Sequence, residues 1–257
     1  MGVLYVVLFL MLFSAAHQGE TMLVRRYGKK YGSGGMLFNG VICLFAMIFF
    51  ILSDKDGLHF VPGIWGYGIA NAVIYGAGFY FGYLAYKTGK YFITTTITSM
   101  QFVIPIIYGL VILREPANYL TYCALICSVV SVCLMCYGNR GKSASGDEDK
   151  GFSVKWLVFV LITLFSNGLI SVLAKIQQTR FGGQHTNEYM VITLFGAFLT
   201  LGIMGLVLEG NTLRKTVLKG GLYGMAAGLL NGFKNAINLM LIMSVPLSVL
   251  TPLKKGV

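Results

Sequence analysis

Long apolar runs separated by short polar loops set the pattern of this chain. A helix crosses the hydrocarbon core of a bilayer in about 20 residues. By that ruler the runs predict spans near 3–23, 36–52, 64–86, 92–113, 119–137, 156–176, 189–208 and 222–244. A ninth run starts near Leu247 and continues to Val257. The predicted fold class is an all-α polytopic membrane protein with eight complete spans and the start of a ninth. Trp65 and Trp156 stand at span starts, where an indole ring is expected to sit at the membrane–water interface. The first run lacks the basic leader of a signal peptide and is read as a retained span.

The only long polar stretch, residues 138–155, carries Ser143, Ser145, Asp147, Glu148 and Asp149. It divides a first half, 1–137, from a second half, 156–257, and the halves are alike. Tyr67-Gly68-Ile69-Ala70 returns as Tyr223-Gly224-Met225-Ala226, and Gly68, Ala72 and Gly76 return as Gly224, Gly228 and Gly232. Leu12-Phe13-Ser14 returns as Leu164-Phe165-Ser166. Duplicated hydrophobic halves mark many secondary transporters, which build one substrate site between two repeats. The first repeat holds five spans. An odd number makes the second copy enter from the opposite side, giving an inverted repeat, and ten spans are expected where this sequence supplies eight and part of another. The second repeat, 156–257, is therefore read as C-terminally incomplete. The small-residue spacings, with Gly78 and Gly82, let helix backbones approach closely in lipid.

Composition agrees with the pattern. The chain has 257 residues, of which 56% are hydrophobic and only 11% charged, with a mean hydropathy of +0.74. The net charge of +11 comes from loops. Arg25, Arg26, Lys29, Lys30, Lys87, Lys90, Arg140, Lys142, Lys150, Lys155, Arg214, Lys215 and Lys219 fall on one side, against Lys55, Arg114 and Arg180 on the other. The positive-inside rule places the first set in the cytoplasm and the N-terminus outside. That distribution also excludes nucleic acid as the partner. The five cysteines lie in apolar runs, and Cys133-x-x-Cys136 has no second pair, His or acid to complete a metal site. No metal or cofactor is expected.

Ala85-Tyr86-Lys87-Thr88-Gly89 closes the third span, Pro105 interrupts the fourth, and Arg114-Glu115-Pro116 follows it. In this order, ahead of a small-residue-rich fifth span, these residues resemble the drug/metabolite transporter superfamily in its EamA-type branch of two five-span repeats. The resemblance implies ten helices, a central cavity, and alternating-access transport of small organic solutes. The N-outside orientation departs from the arrangement usual for such permeases.

Candidate chemistry is sparse. Lys234 falls midway along its span, where a charge costs at least ~2.5–3.5 kcal/mol unless it faces a partner or a cavity. It is read as a cation lining the solute path, or as a structural partner of Glu20 or of a carbonyl. Asn231, Asn235 and Asn238 share its helix face. Lys254 and Lys255 align through the repeat with Thr98 and Ser99. This pair resembles the anion-binding pair of the plastid phosphate-translocator branch. Glu20 and His17 share a face of the first span and are candidates for proton coupling, a role similar to that of the first-span glutamate of the small multidrug branch. An interfacial pair with Arg25 and Arg26 is the plainer reading for Glu20. Thr95 and Ser99 head a hydroxyl-rich stretch that either faces a cavity or bonds its own backbone. Tyr75 belongs to a candidate aromatic wall.

The function expected from these residues is secondary active transport of a small polar metabolite, with an anionic solute suggested by the lysines. The competing class is a non-transporting membrane scaffold or assembly subunit. An enzyme is not expected, because H-E-x-x-H, G-x-S-x-G and phosphate-loop motifs are absent from the sequence. The expected partners are a small-molecule solute and the lipid bilayer, with a homodimer left open, and the expected location is the plasma (bacterial inner) membrane.

Overall fold

The computed structural model describes residues 3–31, 35–54, 57–115 and 153–256, together with Tyr119, Tyr122, Cys123, Ile126, Cys127, Val130 and Leu134. Those seven are helical and exposed, and the rest of the predicted fifth span lies outside the described residues, as do residues 138–152 of the linker. The described chain is helical nearly throughout and contains no strand. Its helices are α1 (Val3–Tyr31), α2 (Met36–Ser53), α3 (Pro62–Thr88), α4 (Tyr91–Ser99), α5 (Val103–Ile107), α6 (Val154–Arg180), α7 (Thr186–Glu209), α8 (Leu213–Ser244) and α9 (Leu247–Gly256). It is an all-α polytopic membrane protein.

Five described stretches are long and apolar enough to cross a membrane: Leu4–Tyr31, Met36–Ser53, Ile93–Ile112, Val154–Arg180 and Thr186–Glu209. α3 and α8 have the length, but glycine, tyrosine, asparagine and, in α8, lysine dilute their apolar character. These two helices are counterparts in the sequence repeat. The backbone also departs from the predicted spans. The apolar run near 3–23 continues as helix to Tyr31, and the run near 222–244 begins at Leu213. Arginine and lysine end a hydropathy pattern without ending a helix, because their stems pack along it while their charges reach water. Lys29 and Lys30 in the last turn of α1 also suit the negative end of the helix dipole.

The chain forms two compact units, Met1–Gly76 with Ala174–Ser244, and Ala77–Leu173 with Val245–Gly256. In the first unit, α2 and α7 run antiparallel. Glu209 at the end of α7 accepts the N–H groups of Met36 and Leu37 at the start of α2, at 3.1 and 3.3 Å, and further along Gly40 faces Gly202. α3 lies parallel to α7 through Gly68, Ala72 and Gly76, which meet Ile192, Gly196 and Thr200. α8 lies parallel to α2 in the same manner, with Gly224, Gly228 and Gly232 against Val41, Phe45 and Phe49. Each third helix of a repeat thus docks on the second helix of the other repeat. α1 covers α8 in the opposite direction, with Tyr27 stacked on Phe38 at 3.9 Å and buried with Ile42 and Ala227.

In the second unit, Trp156 is 2% exposed and packs with Ala85 and Val160. Its indole N–H donates to Thr94 Oγ1 at 2.9 Å. The threonine satisfies the one polar atom of the ring inside the protein. A side chain at Gly89 would run into the same indole. Beyond α4 the helix tightens at Met100–Phe102, continues as α5, and widens into a π turn over Tyr108–Ile112. Pro105 cannot donate to the carbonyl of Gln101, which accounts for the interruption there. Glu115 then accepts the backbone N–H groups of Leu247 and Ser248 at the start of α9, at 3.0 and 3.1 Å.

Candidate functional site

The helix α8 sets Asn231, Lys234, Asn235 and Asn238 at spacings of three and four, on one face. α1, running the other way, brings Glu20 to that face. The Lys234 ammonium pairs with Glu20 Oε2, and Asn231 Nδ2 donates to Glu20 Oε1 at 2.7 Å. Asn235 Nδ2 donates in turn to Asn231 Oδ1 at 2.8 Å. That bond occupies the Asn231 carbonyl and leaves its N–H groups for the carboxylate. Each carboxylate oxygen therefore has its own donor, one charged and one neutral. The side chains of Lys234 and Glu20 are only 15% and 13% exposed, so both charges are largely removed from solvent.

Two more polar groups border this pair. Tyr75 on α3 and Cys43 on α2 are neighbours, and both lie within electrostatic reach of Glu20. Tyr75 and Asn231 are counterparts in the repeat, 156 residues apart. The same offset carries Lys234 onto Gly78, which faces Ser166 and Asn167 in the second unit. The charged pair is therefore a departure from the internal symmetry.

The remaining candidates are placed as follows. Glu20 lies well inside α1, which continues to Tyr31. Asn238 is half-buried one turn beyond Lys234 and Asn235. His17 is exposed, with its ring stacked on Phe13 at 6.3 Å. Thr95 and Ser99 belong to the second unit. Thr95 is exposed, and Ser99 Oγ donates to the carbonyl of Thr96 at 2.7 Å, the back-bonding alternative of the sequence reading. Lys254 is half-buried in α9, and the side chain of Lys255 lies outside the described residues.

Sequence reasoning missed Lys175. Its ammonium donates to the carbonyl of Ile242 at 2.8 Å. The residue four beyond Ile242 is Pro246, which has no N–H to offer, so the lysine serves a carbonyl that the helix cannot. Pro246 was the available signal. Glu188 was also missed: it accepts the His59 N–H at 2.9 Å and contacts His185 Nδ1 at 3.1 Å. Near the same end of α8 is a cavity of about 450 Å³ lined in part by Gln178, Thr186, Asn187, Met240 and Ser244. Met240 and Ala236 place it on a different face of α8 from Lys234. Among the described residues no cluster of His, Cys, Asp and Glu is suited to a metal ion.

No curated protein matches this chain. The profile of the EamA-like transporter family matches residues 3–137, which cover the first of the two sequence repeats. Long apolar helices and that match agree, and the chain belongs to the EamA-like transporter family of integral membrane proteins that move small solutes.

Proposed function

We propose that this protein is a secondary active transporter of a small, polar, anionic organic metabolite, working by alternating access. The observation that carries the reading is the convergence of the Lys234 ammonium and the Asn231 amide on one carboxylate deep between α1 and α8. A lysine held mid-helix among amides is costly in lipid and marks a solute or ion path. Lys234 is the anion-binding group in this reading, Asn231 and Asn235 orient the solute, and Glu20 is the proton-coupling group. The paired seams α3–α7 and α8–α2 support alternating access, because they give the two repeats equivalent contacts that can exchange roles.

Reconstitution tests this directly. Purified protein in liposomes loaded with mixed organic anions should exchange external radiolabelled anion. Lys234→Ala should reduce exchange to the rate of protein-free liposomes while the variant still inserts. Wild-type exchange by Lys234→Ala would remove Lys234 from the solute path. Absence of exchange by the wild-type protein for anions, cations and neutral solutes alike would favour the scaffold reading.

A further inference from the structure

Glu20 is doing to Lys234 and Asn231 what a solute carboxylate would do. Its two oxygens are each met by a separate N–H donor, and Asn235 fixes the amide that supplies the second. A carboxylate presents two oxygens that match this pair of donors in number and spacing, and it does so with a single negative charge, equal to the one the site already holds. The site as it stands is therefore a carboxylate-binding site, occupied by the protein's own side chain.

We infer that Glu20 is an internal counter-anion that a solute monocarboxylate displaces, and that displacement is coupled to protonation of Glu20. The inference rests on the transporter reading above and narrows it to a substrate class and a proton stoichiometry. The balance is simple. In the resting site Glu20 carries one negative charge and Lys234 one positive charge. When a carboxylate R–COO⁻ takes the two donors, Glu20 leaves them. Stranded as an anion beside a second anion in a low-dielectric site, it takes up one proton. The site then holds Lys234 and R–COO⁻ with a neutral Glu20. It is electrically neutral before and after, so one proton accompanies each monocarboxylate. A dicarboxylate or a phosphate dianion would leave the site with a net negative charge and is disfavoured. The groups facing Glu20 are Lys234 and Asn231 from α8, Cys43 from α2 and Tyr75 from α3. On α1 itself His17 lies three residues before it, with its ring on Phe13. Lys234 is the cation of this group, which is why one lysine can be shared between two carboxylates in turn.

The test uses purified full-chain protein and a panel of acetate, lactate, pyruvate, succinate and inorganic phosphate. Binding is measured by calorimetry in buffers of different ionisation enthalpy, which counts the protons taken up. Wild-type protein should bind at least one monocarboxylate more tightly at about pH 6 than at about pH 8, with about one proton taken up per molecule bound. Glu20→Gln removes the internal competitor. It should bind the same monocarboxylate about tenfold more tightly at about pH 8, with no proton uptake and a flat pH profile. Glu20→Gln/Lys234→Met should bind none of the panel, and its thermal unfolding should show whether the fold survives. Weaker binding by Glu20→Gln in a protein that still unfolds cooperatively, even at a lowered temperature, overturns the inference. So does unchanged proton uptake, or a preference for succinate or phosphate. Each of these leaves the transporter reading intact, since that reading fails only if liposome exchange is absent. Failure of the wild-type protein and Glu20→Gln to bind any monocarboxylate also overturns the inference.

Discussion

A single carboxylate on α1 and a single ammonium on α8 hold each other largely out of water. Taking one charge away from such a pair is more damaging than taking both, because the survivor keeps its desolvation cost without its partner. Glu20→Ala and Lys234→Ala are each expected to lose about 3 kcal/mol of stability or more. Glu20→Gln/Lys234→Met should recover most of that loss, as measured by thermal unfolding in detergent. Equal losses that add in the double variant would mean that the pair is not coupled. Lys234 was legible from the sequence because a lone lysine in an apolar run demands a reason. Its partner was harder to identify, since hydropathy ended the first span at residue 23 and left Glu20 beside Arg25 and Arg26. The helix runs on to Tyr31, and the arginines do not compete for it at the level of α8. Lys175 illustrates the opposite case. Pro246 announces a carbonyl in want of a donor, but only the fold brings a lysine 67 residues away to supply it.

At the scale of the element, small residues decide which helices can touch. A Cβ on Gly228 would lie 2.7 Å from the carbonyl oxygen of Ile42, and one on Gly68 would lie 2.6 Å from Ile192. Gly228→Leu should therefore force α8 away from α2 and destabilise the protein by about 1–3 kcal/mol. Gly66→Ala, on a part of α3 with nothing within 4 Å, should leave the unfolding temperature unchanged or raise it, since alanine favours helix. The spacing of these glycines was readable from the sequence, and so was their use in packing. Which helix each row meets was not readable, because the partner residues lie more than a hundred positions away. The glutamate caps show the same limit. Glu209, the last residue of α7, and Glu115, just past the π turn, each satisfy the first N–H groups of another helix. Glu209→Ala exposes the amides of Met36 and Leu37 and should cost about 1–2 kcal/mol, detectable as a lowered unfolding temperature.

At the scale of the whole molecule, the directions of the helices provide an independent check on topology. With the N-terminus outside, α2 and α8 both run outward while α3 and α7 both run inward. The parallel seams α8–α2 and α3–α7 and the antiparallel pairs α2–α7 and α1–α8 require these relations. A cysteine introduced at Gly57 should react with a membrane-impermeant maleimide in sealed right-side-out vesicles, and one at Gly210 should not. The reverse labelling would invert the orientation and leave the packing unchanged. The two helices that fall short of the apolar criterion, α3 and α8, are the ones that bring Tyr75, Asn231 and Lys234 to the candidate site. Polarity diluted their membrane signal for the same reason that it made them informative.

The seams built on Gly68, Ala72 and Gly76 and on Gly224, Gly228 and Gly232 contain no charge. They hold by close contact between backbones and apolar side chains, which dissolved ions do not reach. Arg25, Arg26, Lys29 and Lys30 near the C-terminal end of α1, and Arg214 and Lys219 near the N-terminal end of α8, by contrast, are exposed. Raising ionic strength should therefore weaken the attraction of this protein for anionic lipid surfaces while leaving the register of its helices unaltered. Salt thus gives an experimenter a handle on the membrane surface of the molecule that leaves its scaffold alone.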